Sequence, residues 1–437
     1  MNLRRWLRPG IGIKRWLGVA FIGLTALALA GALALRQFYR DVAVDGPVQA
    51  AVSVVTLQFL QYWVRAAMLL GIGVFLFAYG SYRVVRALLG PFTESADEPL
   101  VDLVYRRRLL ARGPRVVTIG GGTGLSTLLR GLKEHSANIT AIVSVADDGG
   151  SSGRLREQLG IAAVGDIRNC LAALAETETA MGELLQYRFT QDEGNLAGHA
   201  VGNLLIAAMN AIDDGDFEEA IRHMNRVLAV RGRVVPASGT PLTLHARLRD
   251  GSLVEGQSRI ARTRAIETVW LEPADVRASR DALAAIAAAD LVVLGPGSLY
   301  TSVLPPLLVP EIRAALASTP ALRVFACNVA TQVGETEGYD LADHVEALVA
   351  HLGPLAVDVV LANNHLDGST PDQERGVPVK LRWPPVGAAR RPRLALDDLV
   401  DPANPHHHDP ELLAASLLRI LAREGVPGRR LGVARSA

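Results

Sequence analysis

RVVTIGGGTGLSTLLRGLK, residues 115–133, is the stretch that decides the fold. Its apolar start, Arg115 to Ile119, predicts a buried strand, and the apolar spacing from Leu125 to Lys133 predicts a helix. Five small residues join the two: Gly120, Gly121, Gly122, Thr123 and Gly124. Glycines let a backbone approach a ligand, and a helix N-terminus carries partial positive charge. The unit therefore predicts a phosphate or pyrophosphate site, although it matches neither the GxGxxG fingerprint nor the P-loop.

Further strands and helices alternate along the rest of the chain. Strands are predicted at 139–145, 234–235, 242–248, 291–294, 323–326 and 357–361, with helical patterns including 282–289 and 344–351. Such alternation predicts an α/β fold with a doubly wound parallel sheet. Residues 241–260 alternate polar and apolar residues around Asp250-Gly251, which predicts a small antiparallel insertion.

An acidic and glycine-rich loop, DDGGSSGR (147–154), follows the second predicted strand. Ligands of open α/β sheets bind beyond the carboxyl ends of strands. Asp147 and Asp148 are therefore candidates to hold Mg²⁺ beside a diphosphate, or to accept a ribose hydroxyl. Ser151, Ser152 and Arg154 offer further contacts for an anion. A solvated turn is the alternative, because Asp, Gly and Ser are common in turns.

Two shorter motifs precede apolar helical stretches. In GDIRN (165–169), Asp166 is a candidate for a helix cap or a ligand contact. In GHAVGN (198–203), His199 is a candidate acid or base, or a structural histidine at a helix start. Asn203 is a candidate to contact a base or to cap a turn.

A second glycine-rich loop, GPGSLYTS (295–302), follows the strand at 291–294. It should face the same crevice as the first loop, which strengthens the prediction of a nucleotide site. The polar segment CNVATQVGET (327–336) follows the next strand, and its Asn, Thr, Gln and Glu side chains suit a base or a sugar. We interpret Cys327 as a small buried residue, and His406-His407-His408 as a solvated loop rather than a metal site.

Composition excludes several classes of protein. The 437 residues carry 45 basic and 44 acidic side chains, so the basic excess typical of nucleic-acid-binding proteins is missing. The two cysteines are far apart, which argues against a disulfide framework or a structural zinc site.

The first hundred residues differ from the rest. Residues 16–35 form an uncharged apolar run after five basic residues, and a second apolar run covers 66–82 before an arginine-rich segment. We predict a transmembrane hairpin in residues 1–90 and a juxtamembrane linker in 91–113, with both flanks in the cytoplasm. A signal peptide and two buried core helices are the alternatives. The prediction is a multi-pass protein of the cytoplasmic membrane whose large domain, residues 114–437, lies in the cytoplasm.

Six ordered motifs, GGGTGLS, VADDGGSSGRLR, GDIRN, GHAVGN, GPGSLYTSVLPPLLVP and CNVATQVGETEGY, resemble the YvcK family. This family is also called the gluconeogenesis factor family and is related to the CofD phospholactate transferases. The resemblance covers residues 115–420 and implies a Rossmann-like core. It implies either a regulator that binds nucleotide sugars such as UDP-N-acetylglucosamine and supports cell shape and cell-wall synthesis, or a Mg²⁺-dependent transferase using a nucleotide-diphosphate donor. An NAD-dependent oxidoreductase is a weaker third hypothesis.

The resemblance also implies a set of site residues. Gly120 to Gly124 would face the phosphates, with Asp147 and Asp148 where CofD relatives hold metal and Asp148 catalytic only in a transferase. The crevice would be lined by Asn169, His199 and Asn203 on one side and by Gly297, Ser298, Tyr300, Asn328 and Thr331 on the other. Two positions depart from the family pattern, where Pro371 and His407 replace a tyrosine and an arginine. Expected partners are a nucleotide sugar, the membrane, cell-wall synthesis proteins and a second copy of the chain, and not nucleic acid.

Overall fold

The structure, a computed structural model, describes residues 107–176, 178–190, 194–353, 357–364, 376–383 and 392–425, with single positions between residues 21 and 79. The chain divides into two compact units, Met1–Leu109 and Leu110–Ala437.

The described elements of the second unit alternate as the sequence predicts. Its first half contains β1 (Val116–Gly120), α1 (Gly122–Leu132), β2 (Ile139–Val143), α2 (Gly150–Leu159), α3 (Gly165–Leu174), α4 (Glu178–Gln186), α5 (Val201–Ile212), α6 (Phe217–Val227), β3 (Arg233–Pro236), β4 (Thr243–Leu248), β5 (Leu253–Glu255), α7 (Gln257–Ile260) and β6 (Ile266–Glu272). Its second half contains α8 (Arg280–Ala288), β7 (Leu291–Leu294), α9 (Leu304–Leu308), α10 (Pro310–Ser318), β8 (Leu322–Ala326), α11 (Leu341–Leu352), β9 (Val359–Asn363), β10 (Arg393–Asp397), β11 (Val400–Asp401), β12 (Asn404–His408) and α12 (Pro410–Glu424). Short helical turns lie at Gly194–Leu196 (3₁₀) and Leu299–Val303 (π).

Seven strands form one parallel sheet in the order β10-β9-β8-β7-β1-β2-β3. β1 lies in its interior, with Val116 in register with Ile139 of β2 and Leu291 of β7. All residues of β1, β2 and β7 are buried, which explains their nearly continuous apolar sequences. The chain leaves β1 toward β2 and β3, then returns to β7 on the other side of β1. The strand order therefore reverses between β1 and β7, where such folds bind ligands.

The predicted Rossmann-like parallel sheet and its antiparallel insertion are confirmed. The insertion contains β4 and β5, joined at Asp250-Gly251, and β6 on the other edge of β4. Sequence reasoning did not predict β6, β10, β11 or β12.

The predicted membrane hairpin and linker lie mostly outside the described residues. The described positions between 21 and 32 and between 64 and 79 are helical. Among the residues that the structure describes, no helix is both long and apolar enough to cross a membrane. Membrane anchoring therefore stays a prediction.

Candidate functional site

A cavity of about 590 Å³ lies where the strand order of the parallel sheet reverses. The loops after β1, β7 and β8 contribute to it, together with strand β12. Its lining residues are Gly121, Gly122, Thr123, Gly124, Thr127, Gly297, Ser298, Ser302, Asn328, Val329, Ala330, Thr331, Gln332, Asn404, His406, His407 and His408. Of the predicted site residues, Gly121 to Gly124, Gly297, Ser298, Asn328 and Thr331 therefore meet at one cavity. Gly120 ends β1 and is not among the lining residues.

The two glycine-rich loops touch each other beside the cavity. A Cβ atom on Gly124 would lie 2.8 Å from the carbonyl oxygen of Pro296 and 3.0 Å from the nitrogen of Gly297. Only a residue without a side chain allows this approach of two backbones. Gly124 lies in the first turn of α1, so the close approach places the second loop beside the N-terminus of that helix.

The loop after β8 fixes the loop after β7. Gly297 N donates to Asn328 Oδ1 (3.0 Å), and Asn328 Nδ2 donates back to Gly297 O (2.9 Å). Ser298 Oγ donates to Gln332 Oε1. These contacts hold Gly297 and Ser298 in place before a ligand arrives, which reduces the entropy lost on binding.

Glu335 stabilises the loop that follows β7. The π-helical turn 299–303 directs the backbone N–H groups of Tyr300 and Thr301 to Glu335 Oε1, and Thr301 Oγ1 donates to Glu335 Oε2 (2.9 Å). Glu335 is 2% exposed, and burial raises its pKa to about 7 despite these donors. The carboxylate predicted to contact a base or a sugar therefore acts as the cap of a helical turn.

Asp166 lies behind the first glycine loop. A Cβ atom on Gly121 would lie 2.2 Å from Asp166 Oδ2, and the N–H of Gly122 donates to the carboxylate. Burial, and then the charge of Asp147, raise the pKa of Asp166 to about 7. The two alternatives for Asp166 were a helix cap and a ligand contact. Asp166 lies inside α3 rather than at its N-cap, and its carboxylate contacts the first glycine-rich loop.

The side chains of Asp147 and Asp148 accept hydrogen bonds from different parts of the chain. Asp147 Oδ1 accepts from Gly149 N (2.9 Å), whereas Asp148 Oδ1 accepts from Ser258 N (2.8 Å) at the start of α7. Burial, and to a smaller degree the charge of Asp148, raise the pKa of Asp147. Neither residue lines the cavity, and the described residues contain no group of three His, Cys, Asp or Glu that could hold a metal. Each carboxylate accepts its backbone hydrogen bond through Oδ1, and the role of the pair as ligands of one Mg²⁺ stays a prediction.

Ser151, His199 and Asn203 form a buried polar cluster. Ser151 Oγ lies 3.1 Å from His199 Nδ1 and accepts from Asn203 Nδ2 (3.0 Å). Burial, and then Arg154, lower the pKa of His199. A neutral His199 can accept a hydrogen bond from the Ser151 hydroxyl through Nδ1. None of the three is among the residues that line the cavity.

Ser152, Arg154 and Asn169 also make contacts within the protein. Ser152 Oγ accepts from the backbone N–H groups of Val164 and Gly165, at the start of α3. Arg154 donates to the Ala197 carbonyl, and Asn169 Oδ1 accepts from Arg168 (2.8 Å) and Gln186 (3.0 Å). The expectation that Asn169 lines the cavity does not match its position.

Tyr300 also differs from the prediction. Its ring is buried, and its hydroxyl lies 2.9 Å from that of Tyr339. Burial, and then the hydrogen bond with Tyr339, raise the pKa of Tyr300. The π-helical turn directs this side chain away from the cavity between the glycine loops, toward a second cavity beside α11.

The model of the CofD family, described as 2-phospho-L-lactate transferase CofD, matches residues 116–380. The chain belongs to the CofD family. A relative from Nostoc sp. is 42% identical over 426 residues, covering 95% of this chain and 92% of the relative. The gluconeogenesis factor of Bacillus subtilis is 49% identical over 257 residues, which are 58% of this chain and 80% of the relative.

A solved structure also matches this chain. The crystal structure of a UPF0052-family protein from Bacillus halodurans is 44% identical, with a TM-score of 0.65, and covers 69% of this chain and 99% of that chain. The resemblance to gluconeogenesis factors drawn from the six motifs is thereby confirmed. The Nostoc alignment extends over 95% of the chain, so that relative shares most of the N-terminal unit as well.

Sequence reasoning missed one wall of the cavity. The sequence predicts a solvated loop at the run of three histidines, but these residues belong to β12, which pairs with β11. His407 is exposed, whereas His408 is buried. Only the position of the histidines, after the last strand of the parallel sheet, could have indicated that they lie near the site. β11 has two residues and gives no periodic pattern from which the β11–β12 pair could be predicted.

Cys327 is buried as predicted, and burial raises the pKa of its thiol to about 12. Pro371 lies outside the described residues.

We expect Ser151→Ala to lower the free energy of unfolding by about 1–3 kcal/mol, because His199 and Asn203 would lose a buried partner. Chemical denaturation measures this change. Ser318→Ala is the matched control, since the Ser318 hydroxyl is exposed on α10, and it should change stability by about 0.5 kcal/mol or less. Unchanged stability with lost nucleotide binding would instead place the Ser151 cluster in a ligand site.

Proposed function

We propose that this CofD-family chain is a nucleotide-sugar-binding regulatory protein of the gluconeogenesis factor type, with a ligand like UDP-N-acetylglucosamine. The observation that carries the proposal is the cavity between two touching glycine-rich loops at the reversal of strand order. Backbone N–H groups at such a place are suited to a diphosphate.

The polarity of the cavity supports a ligand with both phosphates and hydroxyl groups. There is no Asp or Glu among its described lining residues, and the carboxyl group of Asp166 lies behind Gly121 rather than in the lining. Ser298, Asn328 and Gln332 supply hydroxyl and amide groups that suit a base or a sugar. A volume of about 590 Å³ lies within the range of about 300–1,000 Å³ usual for small-molecule sites.

A regulatory role is supported by relatives that carry the name gluconeogenesis factor. In this proposal the protein binds a cell-wall precursor or a related nucleotide sugar and supports cell shape and cell-wall synthesis. The predicted membrane hairpin would keep it beside the cell-wall synthesis proteins that are its proposed partners.

Isothermal titration of the full-length protein with UDP-N-acetylglucosamine, with and without Mg²⁺, tests this proposal. We expect saturable binding that Gly122→Val abolishes, because Gly122 has a φ of +67° and lines the cavity. Gly160→Val is the matched control, since Gly160 has the same φ of +67° and open space around it. Binding that survives Gly122→Val, or no binding at all, would contradict the proposal.

The second candidate is a transferase that uses a nucleotide-diphosphate donor and Mg²⁺. It is favoured by the family model, whose description is 2-phospho-L-lactate transferase CofD. Asp148 is the candidate catalytic residue, and its Oδ1 atom accepts a hydrogen bond from Ser258 N at the start of α7.

Asp148→Asn separates the two candidates. The amide oxygen can still accept from Ser258 N, so we expect the variant to fold and to bind nucleotide sugar like the unmodified protein. In a transferase, loss of the carboxylate should reduce transfer from a guanylated or uridylylated phospholactate donor by at least about 100-fold. A chromatographic assay of product formation measures this, and undiminished turnover would remove Asp148 from the mechanism.

A further inference from the structure

We propose that Arg168 and Arg188 form a second anion site, which binds a phosphate or carboxylate group of a small molecule. Neither arginine is among the residues that line the cavity between the glycine-rich loops, so the site lies apart from that cavity. The inference therefore goes beyond the proposed function and does not depend on the identity of the nucleotide sugar.

The hydrogen bonding of Arg168 is the first observation. The residue is 5% exposed, and its Nη2 atom donates to Asn169 Oδ1 (2.8 Å). Its Nε and Nη1 atoms are enclosed and have no hydrogen-bond partner. A buried charge without partners disfavours the folded state, so buried polar groups are normally hydrogen-bonded. Arg168 therefore holds donors that the protein itself does not use.

Arg323 shows how the same domain satisfies a buried arginine with a structural role. It is the other buried arginine among the described residues. Its Nε and Nη2 atoms donate to the two carboxylate oxygens of Asp358 (2.9 and 2.8 Å), and its Nη1 atom donates to Leu316 O (3.3 Å). Each nitrogen of Arg323 thus has a partner, in contrast with those of Arg168.

Gly202 provides the space in which the Arg168 side chain lies. A Cβ atom on Gly202 would lie 2.7 Å from Cγ and 2.9 Å from Cδ of Arg168, and 2.9 Å from the Leu185 carbonyl oxygen. Gly202 lies in the first turn of helix α5, where any residue can adopt the backbone conformation. A glycine is therefore needed at this position for space, and α3 and α5 pack closely around the arginine.

Arg188 supplies a second positive charge. Burial, and then the charge of Arg188, lower the pKa of Arg168, so two like charges lie close together. The charges of Asp166 and Asp147 act in the opposite direction, but neither carboxylate accepts a hydrogen bond from Arg168. Arg188 Nη1 donates to the Gly198 carbonyl (3.1 Å). An oxyanion would be attracted by both guanidinium groups, which bind phosphate and carboxylate through paired N–H groups.

Two exposed polar side chains lie beside Arg168 and give access to it. Gln186 donates to Asn169 Oδ1 (3.0 Å), the same atom that accepts from Arg168. Arg188 is exposed as well. Rotation of Gln186 and Arg188 opens the site at little cost, because an exposed hydrogen bond is readily exchanged for one with water.

Equilibrium dialysis of the full-length protein with inorganic phosphate and, separately, with succinate tests the inference. We expect saturable binding, and the probe that binds more tightly shows whether the ligand group is a phosphate or a carboxylate. Arg168→Met and Arg188→Gln should each weaken binding at one site per chain by at least about tenfold, because both remove a charged donor. Arg226→Gln is the matched control, since Arg226 is an exposed arginine of α6, and it should keep the affinity.

Urea denaturation gives a readout that a purely structural role would not give. Without an added anion, Arg168→Met should be at least as stable as the unmodified protein, because methionine buries no charge. Arg323→Met should be destabilised, since it leaves Asp358 without its partner. The bound anion should raise the denaturation midpoint of the unmodified protein but not that of Arg168→Met. Destabilisation of Arg168→Met like that of Arg323→Met would assign Arg168 a structural role and overturn the inference.

Gly122→Val separates the second anion site from the cavity between the glycine-rich loops. This variant should lose nucleotide-sugar binding and keep the anion site, whereas Arg168→Met should do the reverse. Phosphate binding that is lost in Gly122→Val but unchanged in Arg168→Met and Arg188→Gln would overturn the inference and leave the proposed function intact. Failure of both probes to bind the unmodified protein would also overturn it. Failure of the nucleotide sugar alone would contradict only the proposed function.

Discussion

Gly124→Ala is expected to weaken nucleotide-sugar binding by at least about tenfold and to lower the free energy of unfolding by about 1–2 kcal/mol. The new Cβ would lie 2.8–3.0 Å from backbone atoms of Pro296 and Gly297, which cannot rotate away as a side chain could. The two glycine-rich loops must therefore move apart by several tenths of an ångström, and overpacking of this kind costs about 1–3 kcal/mol. The donors on both loops would then no longer converge on one diphosphate.

Gly182→Ala is the matched control for this change. Gly182 also lies in a helix, α4, but a Cβ there would meet nothing within 4 Å. Alanine is preferred over glycine inside helices, so this variant should be more stable by about 0.5–1 kcal/mol and should bind normally. Thermal unfolding and titration calorimetry measure both variants. If Gly124→Ala behaved like Gly182→Ala, the contact between the loops would have no role in binding.

Glu335→Leu is expected to destabilise the protein by about 3–5 kcal/mol. Leucine has a similar size but accepts no hydrogen bond, so the N–H groups of Tyr300 and Thr301 and the Thr301 hydroxyl would lose their partner. A buried donor left without a partner costs about 1–3 kcal/mol. Because the turn 299–303 follows Ser298 directly, nucleotide-sugar affinity should fall as well.

Glu335→Gln separates the hydrogen bonds from the charge. Glutamine keeps the acceptor for both N–H groups, and the Thr301 hydroxyl can turn to accept from the new amide. Burial raises the pKa of Glu335 in the folded protein to about 7, above its ordinary value of 4.5, so the folded state holds a proton that the unfolded state loses. The free energy of unfolding should therefore fall as the pH rises from about 4.5 to about 7, by at most about 3 kcal/mol from this residue.

In Glu335→Gln this part of the pH dependence should disappear, which makes the variant at least as stable as the unmodified protein at about pH 8. Urea denaturation at several pH values measures the slope. An unchanged slope in the glutamine variant would show that Glu335 does not titrate in this range. Stability of Glu335→Leu equal to that of the unmodified protein would exclude the capping role.

The parallel sheet could be predicted because each of its central strands reads as a buried apolar run followed directly by glycine or polar residues. Val116–Gly120 and Leu291–Leu294 are examples, and the loops after them meet as expected. Edge and insertion elements were harder to predict. β10 is partly exposed and follows a segment without periodicity, while β11 and β12 depend on pairing with each other.

Side-chain directions could not be predicted from the motifs. The DDGGSSGR loop does follow β2, yet α2 begins at Gly150 and turns Ser151 and Ser152 into the protein. Likewise, the π-helical turn sends Tyr300 toward Tyr339. A motif places a backbone at the edge of the sheet, but local helix geometry decides which side chains reach the cavity.

The most direct test of the central claim is a crystal structure of the protein with UDP-N-acetylglucosamine. The account predicts the diphosphate between Gly121–Gly124 and Gly297–Ser298, with the sugar or the base near Asn328 and Gln332. Density for the diphosphate at another place, such as the second cavity beside α11, would contradict it.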